Sequence, residues 1–232
     1  MTAVMINHIE LAAQAVLVYE SLVANLTIEV VDTLVGSLLG DAHAPKLNKI
    51  GLTTIAFNQS IIHAAYLASL YTTLACLARS MPTTYTHKET RVDGSPIQSM
   101  SFSLTPSPFL GLLASFFYPM ASDGTRLPKI VPWTLIPFAL TARALAILIS
   151  DDGSPNKRGG TTLNTQGFDL GSVMTLLWVL EMEHGLICTL HTKRLKSGRL
   201  CYNIYITRAS LPRLQALVGP YLDPSMLYKV EL

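Results

Sequence analysis

The chain has 232 residues, half of them hydrophobic, and 17 Lys and Arg against 15 Asp and Glu give a formal net charge of only +2. That length fits one large domain or two small ones sharing a core. Mean hydropathy is high at +0.38, yet no uninterrupted apolar run reaches the ~18 residues of a membrane-spanning helix, and Cys76, Cys188 and Cys201 are too few and too scattered for a disulfide framework or a zinc site.

Residues 7–23 carry Ile9, Ala12, Ala13, Val16 and Leu17 at helical spacing, which predicts an amphipathic helix. A break at residues 25–28 follows, and Asp32 is placed to cap the next helix. That helix contains Leu34-Val35-Gly36-Ser37-Leu38-Leu39-Gly40-Asp41-Ala42, apolar and rich in small residues, and Pro45 ends it. Gly36 and Gly40 fall on one face, where a second helix can approach backbone to backbone. Residues 52–58 predict a strand, 61–79 a long helix, and 81–92 with 95–104 a hairpin turning at Asp93-Gly94. Pro106 and Pro108 open a helix over 109–118, and a turn at Asp123-Gly124-Thr125-Arg126 leads to Lys129.

From Leu140 the order repeats. The apolar helix Leu145-Ala146-Ile147-Leu148-Ile149-Ser150 ends in Asp151-Asp152-Gly153, so Asp152 matches Asp41. A loop over 154–160, a strand over 161–165 and a helix over 170–184 closed by Gly185 follow. A hairpin of 186–192 and 200–207 then turns around Lys196-Ser197-Gly198-Arg199, and a helix over 211–218 stops at Gly219-Pro220. One strand in each half is poorly defined. Acids lead in the first 80 residues and bases lead from Lys157 onward, so the second half is the basic half.

Two apolar helices side by side, each ending in an acid, would bring Asp41 and Asp152 together, and paired carboxylates with oxygen donors suit magnesium. The two stretches resemble the paired motifs of the LAGLIDADG homing endonucleases, in the single-chain subgroup with Leu-Gly-Asp-Ala in the first motif and Asp-Asp-Gly ending the second. Lys129-Ile130-Val131-Pro132, Leu163-Asn164-Thr165-Gln166-Gly167-Phe168 and Pro220-Tyr221-Leu222-Asp223-Pro224-Ser225-Met226-Leu227-Tyr228-Lys229 agree as well, so the resemblance runs over 32–229. It implies an α+β fold: a pseudo-symmetric tandem αββαββα repeat, with two antiparallel sheets forming a DNA-binding saddle and the motif helices at its centre. The domains expected are a helical extension at 1–30, a first half at 31–126, and a linker with the second half at 127–232.

The function implied is site-specific double-strand cleavage of a long asymmetric DNA target, by a monomer encoded in a mobile organellar intron of mitochondrion or chloroplast. Asp41 and Asp152 would hold Mg2+ or Mn2+, helped by the backbone carbonyls of Gly40 and Asp151. Lys129 and Lys229 would stand in the active site to polarise water or offset phosphate charge. Asp151 itself either flanks the site or pairs with a cation such as Arg143, and His43 either meets DNA backbone or caps its helix. DNA contacts are expected from Lys46, Lys49, Gln59, Lys88, Arg91 and Gln98 in the first half and Lys157, Arg158, Gln166, Lys193 and Arg199 in the second, because alternating polar side chains on a strand can read base edges in the major groove. Gln59 and Gln166 are expected at matching places after the first strand of each half.

Ile147 stands where the first motif has Gly36, which predicts looser helix packing there. Leu39 stands where the wider family has an acid. An RNA maturase on the same fold, acting on intron RNA, is the alternative and needs neither acid; a membrane-associated protein is the reading that hydropathy alone would give.

Overall fold

The computed structural model describes residues 3–45, 52–194 and 198–232. Helix α1 (Ala3–Asn25) precedes the first motif helix α2 (Ile28–Leu39). Then come β1 (Ala56–Ser60), α3 (Ala64–Leu74), the hairpin β2 (Thr83–Thr90) and β3 (Pro96–Ser103), and α4 (Pro108–Phe117). A single-turn helix α5 (Ile136–Ala139) leads to the second motif helix α6 (Ala142–Asp152). The second half continues with β4 (Gly153–Pro155), β5 (Thr161–Leu163), α7 (Leu170–Met182), β6 (Cys188–Arg194), β7 (Leu200–Ile206) and α8 (Leu211–Val218), and ends in 3-10 turns over Pro224–Val230. Strands β1-β3-β2 form one antiparallel sheet and β4-β5-β7-β6 the other. This is the expected α+β architecture of two sheets around two central helices.

The poorly defined strand of the second half is β4, lying where a loop was expected. Its counterpart in the first half is a single bridge between His43 and Ala56, too short to make a strand. The long helix expected over 61–79 is shorter: a 3-10 turn at Ile61–His63 opens it and it ends at Leu74. Strand β1 begins later than expected and includes Gln59 and Ser60. Cys188 and Cys201 are buried free thiols, whereas Cys76 is exposed. Among the described residues no helix is long and apolar enough to cross a membrane.

Helices α2 and α6 pack as knob into hole. A Cβ on Gly36 would collide with the Ala144 carbonyl oxygen and lie 2.7 Å from Ile147 Cβ. Ile147 therefore fills the space that Gly36 leaves, and the seam is tight where looser packing was expected. Every residue from Val30 to Leu39 and from Ala144 to Ser150 is buried, since the helices are covered on all sides.

Asp32 does not cap α2. Thr27 does, accepting from Val30 N at 3.3 Å. Asp32 lies one turn into the helix, only 5 % exposed, and accepts from Tyr19 Oη at 3.2 Å and Thr141 Oγ1 at 2.7 Å. It thus ties α1 and the N-cap of α6 to the head of α2, opposite the acid end. Burial outweighs the two donors and holds its carboxyl above the usual range. A group whose folded-state pKa is raised contributes most below its unfolded pKa and loses that contribution as pH rises through the folded value. Asp32→Ala is expected to cost about 1–3 kcal/mol in urea unfolding, from two half-buried hydroxyls losing their acceptor, and more at acidic than at neutral pH.

Candidate metal and nucleic-acid site

The acid ends of α2 and α6 meet between the two sheets. Gly40 closes α2 and Asp41 follows it; Asp152 is the last residue of α6. Asp41, Asp152, Lys129, Asn164 and Phe168 line one cleft, so the two expected carboxylates do come together. Burial, and after it the charge of Asp41, push the Asp152 carboxyl up to about 6, against the opposing pull of Lys129 and Lys229.

The lysines are placed alike on the two sides. Lys129 Nζ donates to Gly40 O at 2.6 Å, while Lys229 Nζ donates to Asp151 O at 3.1 Å and to Ser150 O. The two carbonyls expected beside a metal, those of Gly40 and Asp151, thus each accept from a lysine. Lys229 is only 7 % exposed, and Thr161 Oγ1 donates to its backbone carbonyl at 3.0 Å. Burial lowers both ammonium groups, and the carboxylates of Asp41, Asp151 and Asp152 oppose that.

Asp151 does not pair with Arg143, which binds Glu29 at 2.9 Å near the head of α2. Its carboxylate instead crosses to the first half. Oδ2 accepts the Asp41 backbone N–H at 3.1 Å, and Oδ1 accepts from Tyr66 Oη at 2.8 Å and Gln59 Nε2 at 3.3 Å. Gln59 Nε2 also donates to Asp41 Oδ2 at 2.8 Å. The crossing needs Gly40, since a Cβ there would lie 2.5 Å from Asp151 Cβ. Desolvation first, and then Asp41, hold the Asp151 carboxyl well above the usual range.

Strand alternation settles which expected DNA contacts face outward. Phe57 opposes Phe102 in the first sheet, and their rings stack with centroids 4.6 Å apart on the buried, helix-facing side. Gln59 and Gln98 share the parity of that side. They point away from the open face on which they were expected: Gln59 reaches the acids, and Gln98 donates to Thr86 Oγ1 at 3.3 Å. The open face carries Asn58, Ser60, Ser101, Tyr85 and His87; Ser99 lies on the same side of its strand but is buried, with His87 Nε2 and Ser99 Oγ 2.8 Å apart. In the second sheet Leu163, Ile204 and Ile206 face the helices, so Thr162, His191, Lys193, Asn203 and Tyr205 face out. Lys193 is exposed on that face as expected.

Lys88, Lys157, Arg158 and Arg199 are exposed on strand or turn, and Arg91 is exposed at the hairpin tip, where its Nη1 donates to Ser95 Oγ. Lys46 and Lys49 lie outside the described residues, as do Lys196 and Ser197 of the second turn. Gln166 is not the counterpart of Gln59. Counting from the matched pairs Phe57–Phe102 and Leu163–Ile204, that place belongs to Thr165.

Sequence reasoning missed Tyr66 and Arg126, and it quoted Asn164 without giving it a role. Asn164 donates through Nδ2 to Asp152 O at 2.9 Å. Arg126 lies with its guanidinium carbon 3.7 Å from the Tyr118 ring centre, donates to Ala44 O, and has no carboxylate partner among the described residues. It forms a cleft with His43, Tyr118 and Lys129 beside the acids. His43 sits edge-on to Tyr118 rather than capping α2.

Two motif helices packed side by side, each with an acid at its foot, join the two antiparallel sheets of this fold. The chain belongs to the LAGLIDADG DNA endonuclease family, whose model matches residues 31–214. It is similar to the cytochrome b mRNA maturase bI2 of Saccharomyces cerevisiae, 30 % identical over 208 residues, covering 88 % of this chain and 48 % of the relative. The chain thus spans about half the length of that protein. It is 38 % identical to the intron-encoded endonuclease ai4 of Dictyostelium discoideum over 93 residues, covering 40 % of this chain and 56 % of that one. The solved structure of the homing endonuclease I-WcaI bound to its DNA recognition sequence matches with a TM-score of 0.74 at 26 % identity, covering 88 % of this chain and 87 % of that one.

Proposed function

We propose that this chain is a divalent-metal-dependent endonuclease that cuts both strands of a long, asymmetric DNA site. The observation that carries the reading is the meeting of Asp41 and Asp152, one from each half, in a cleft with a lysine on either side. The similarity to I-WcaI, a homing endonuclease solved on its DNA recognition sequence, supports a duplex as partner.

Among the described residues no three His, Cys, Asp or Glu converge on one point, so an all-side-chain metal cage is not the design. The residues fit a hard cation nonetheless. Burial and the neighbouring Asp41 charge make the Asp152 carboxylate costly to ionise, a cost that a cation would offset, and oxygen donors suit magnesium or manganese. Asp41 and Asp152 would hold it, with the Gly40 and Asp151 carbonyls beside them. When bound, the cation supplies charge for the phosphate oxygens and the leaving oxygen. Lys129 and Lys229, desolvated and fixed by backbone carbonyls, set positive charge beside each strand without reorganising during the reaction. The open faces of both sheets, lined by Ser, Thr, Asn, Tyr and Lys193, read the base edges.

Arg126 adds a backbone phosphate contact next to the acids, its fork held flat by Tyr118. Arg126→Gln is expected to weaken binding to target and non-target DNA alike, and to lower the slope of log K against log salt by about one, measured by fluorescence anisotropy.

The domains proposed are residues 31–126 and 127–232 with an extension at 1–30, in a monomer. The cytochrome b message in the yeast relative's name points to the mitochondrion rather than the chloroplast. That name also favours a second reading, an RNA maturase acting on its own intron. Incubation of the protein and Mg2+ with a plasmid carrying the intronless host-gene junction separates the two. The nuclease reading requires a linear product, and the maturase reading requires only that intron splicing be helped, including by variants lacking both acids.

A further inference from the structure

The site is less symmetric than the chain that builds it. On the Asp41 side a strap of side chains runs from Tyr66 through Asp151 to the Asp41 backbone, with Gln59 bridging the two carboxylates. Tyr66 is 1 % exposed, so its hydroxyl has no access to water and is committed to Asp151, with Ile147 O at 3.4 Å as its second neighbour. Among the described residues nothing corresponds on the Asp152 side. The residue before Asp41 is Gly40, which has no side chain to send back. Aligned by the starts of α3 and α7, Tyr66 matches Ser172, whose Oγ instead accepts from Val131 N at 3.1 Å. Gln59 matches Thr165, whose Oγ1 donates to Tyr202 O at 2.7 Å. Asp152 is tied through its backbone carbonyl, by Asn164, and among the described residues its carboxylate accepts no side-chain hydrogen bond.

We propose that Tyr66 and Gln59 are positioning residues that act through Asp151 on Asp41, making the two halves of the site unequal toward the two DNA strands. The proposal rests on the nuclease reading above. A buried tyrosine fixes Asp151, and Asp151 fixes the peptide that carries Asp41. Gln59 sets the rotamer of the Asp41 carboxylate directly. Releasing the strap lets Asp41 drift while Asp152, on its own tether, stays in place. Small misplacements of a reacting group cost large factors in rate, so the loss should fall on one strand.

The test uses the full chain, Mg2+ and a supercoiled plasmid carrying the intronless host-gene junction, with each strand end-labelled in a parallel linear substrate. Tyr66→Phe keeps the ring in the core and removes only the hydroxyl. Gln59→Met keeps the side-chain length and removes the donor, at a partly exposed position where folding is not at risk. In both variants cleavage of one strand is expected to slow about tenfold or more, the same strand each time, with the other within about twofold, so that nicked circles accumulate. Equal slowing of both strands, the result of a merely structural role, overturns the proposal, as does an unchanged strand ratio. A wild-type protein that leaves the plasmid intact overturns the nuclease reading and this inference with it.

Discussion

Asp41→Asn and Asp152→Asn are each expected to abolish double-strand cleavage, with a drop of about a thousandfold or more in single-turnover rate. Asparagine keeps the shape and one oxygen but removes the charge that draws a cation, and metal stabilisation of phosphoryl transfer amounts to several kcal/mol. Binding should behave differently. Each substitution removes a negative charge from a surface meant to meet phosphates, so DNA affinity stays the same or rises. Folding should behave differently again. Burial and Asp41 already push the Asp152 carboxyl up to about 6. A group raised above its unfolded pKa opposes folding once pH exceeds that value, so Asp152→Asn should be as stable as wild type, or more so, at neutral pH without metal. Loss of cutting with binding and melting temperature preserved is the expected pattern, read by plasmid linearisation, anisotropy and calorimetry. Undiminished cutting by both variants would remove the proposed metal ligands.

The elements that were legible in the sequence are those whose signals are local. The Asp93-Gly94 turn lies between two β-rich runs, and β2 and β3 form around it. Residues 211–218 run between a proline near the start and a glycine at the end, and α8 has those bounds. The pairing of Asp41 with Asp152 was legible because it repeats, not because either acid is distinctive. Side-chain direction was less readable. Asp32 has the chemistry of an N-cap, but Thr27 takes that role and the acid is consumed by Tyr19 and Thr141, both on other helices. Gln59 and Gln98 are polar residues in strands, yet which face they occupy depends on where the ladder starts, and a one-residue shift reverses it. Asp151 reaches across to a peptide 110 residues away, through a gap that exists only because Gly40 lacks a side chain. No periodicity in the chain encodes that contact. The open sheet faces also carry serine, threonine and asparagine, whose place on a strand gives no signal as local as a charge does.

Gly36→Val is expected to destabilise the protein by about 3 kcal/mol or more, lowering the melting temperature by roughly 6–12 °C for a chain of this size. The new side chain would enter the seam against the Ala144 carbonyl oxygen and the Ile147 side chain. One of these is helix backbone and cannot rotate away, so α2 and α6 must part. Parting them opens the seam between two helices on which Val35, Leu38, Leu145 and Leu148 are all fully buried. Trimming the knob with Ile147→Ala should recover only part of the loss, because the carbonyl remains, and the pair should be non-additive. Gly40→Ala, one turn further along the same helix face, should separate from this result. Its Cβ meets a side chain, Asp151, rather than backbone. The carboxylate can swing aside at modest cost in stability, but it then lets go of the Asp41 N–H and of Tyr66. Gly36→Val should therefore unfold the protein before it impairs the site, and Gly40→Ala should impair the site while the fold survives. Equal melting losses for the two would mean that the seam, not Asp151, is what Gly40 accommodates.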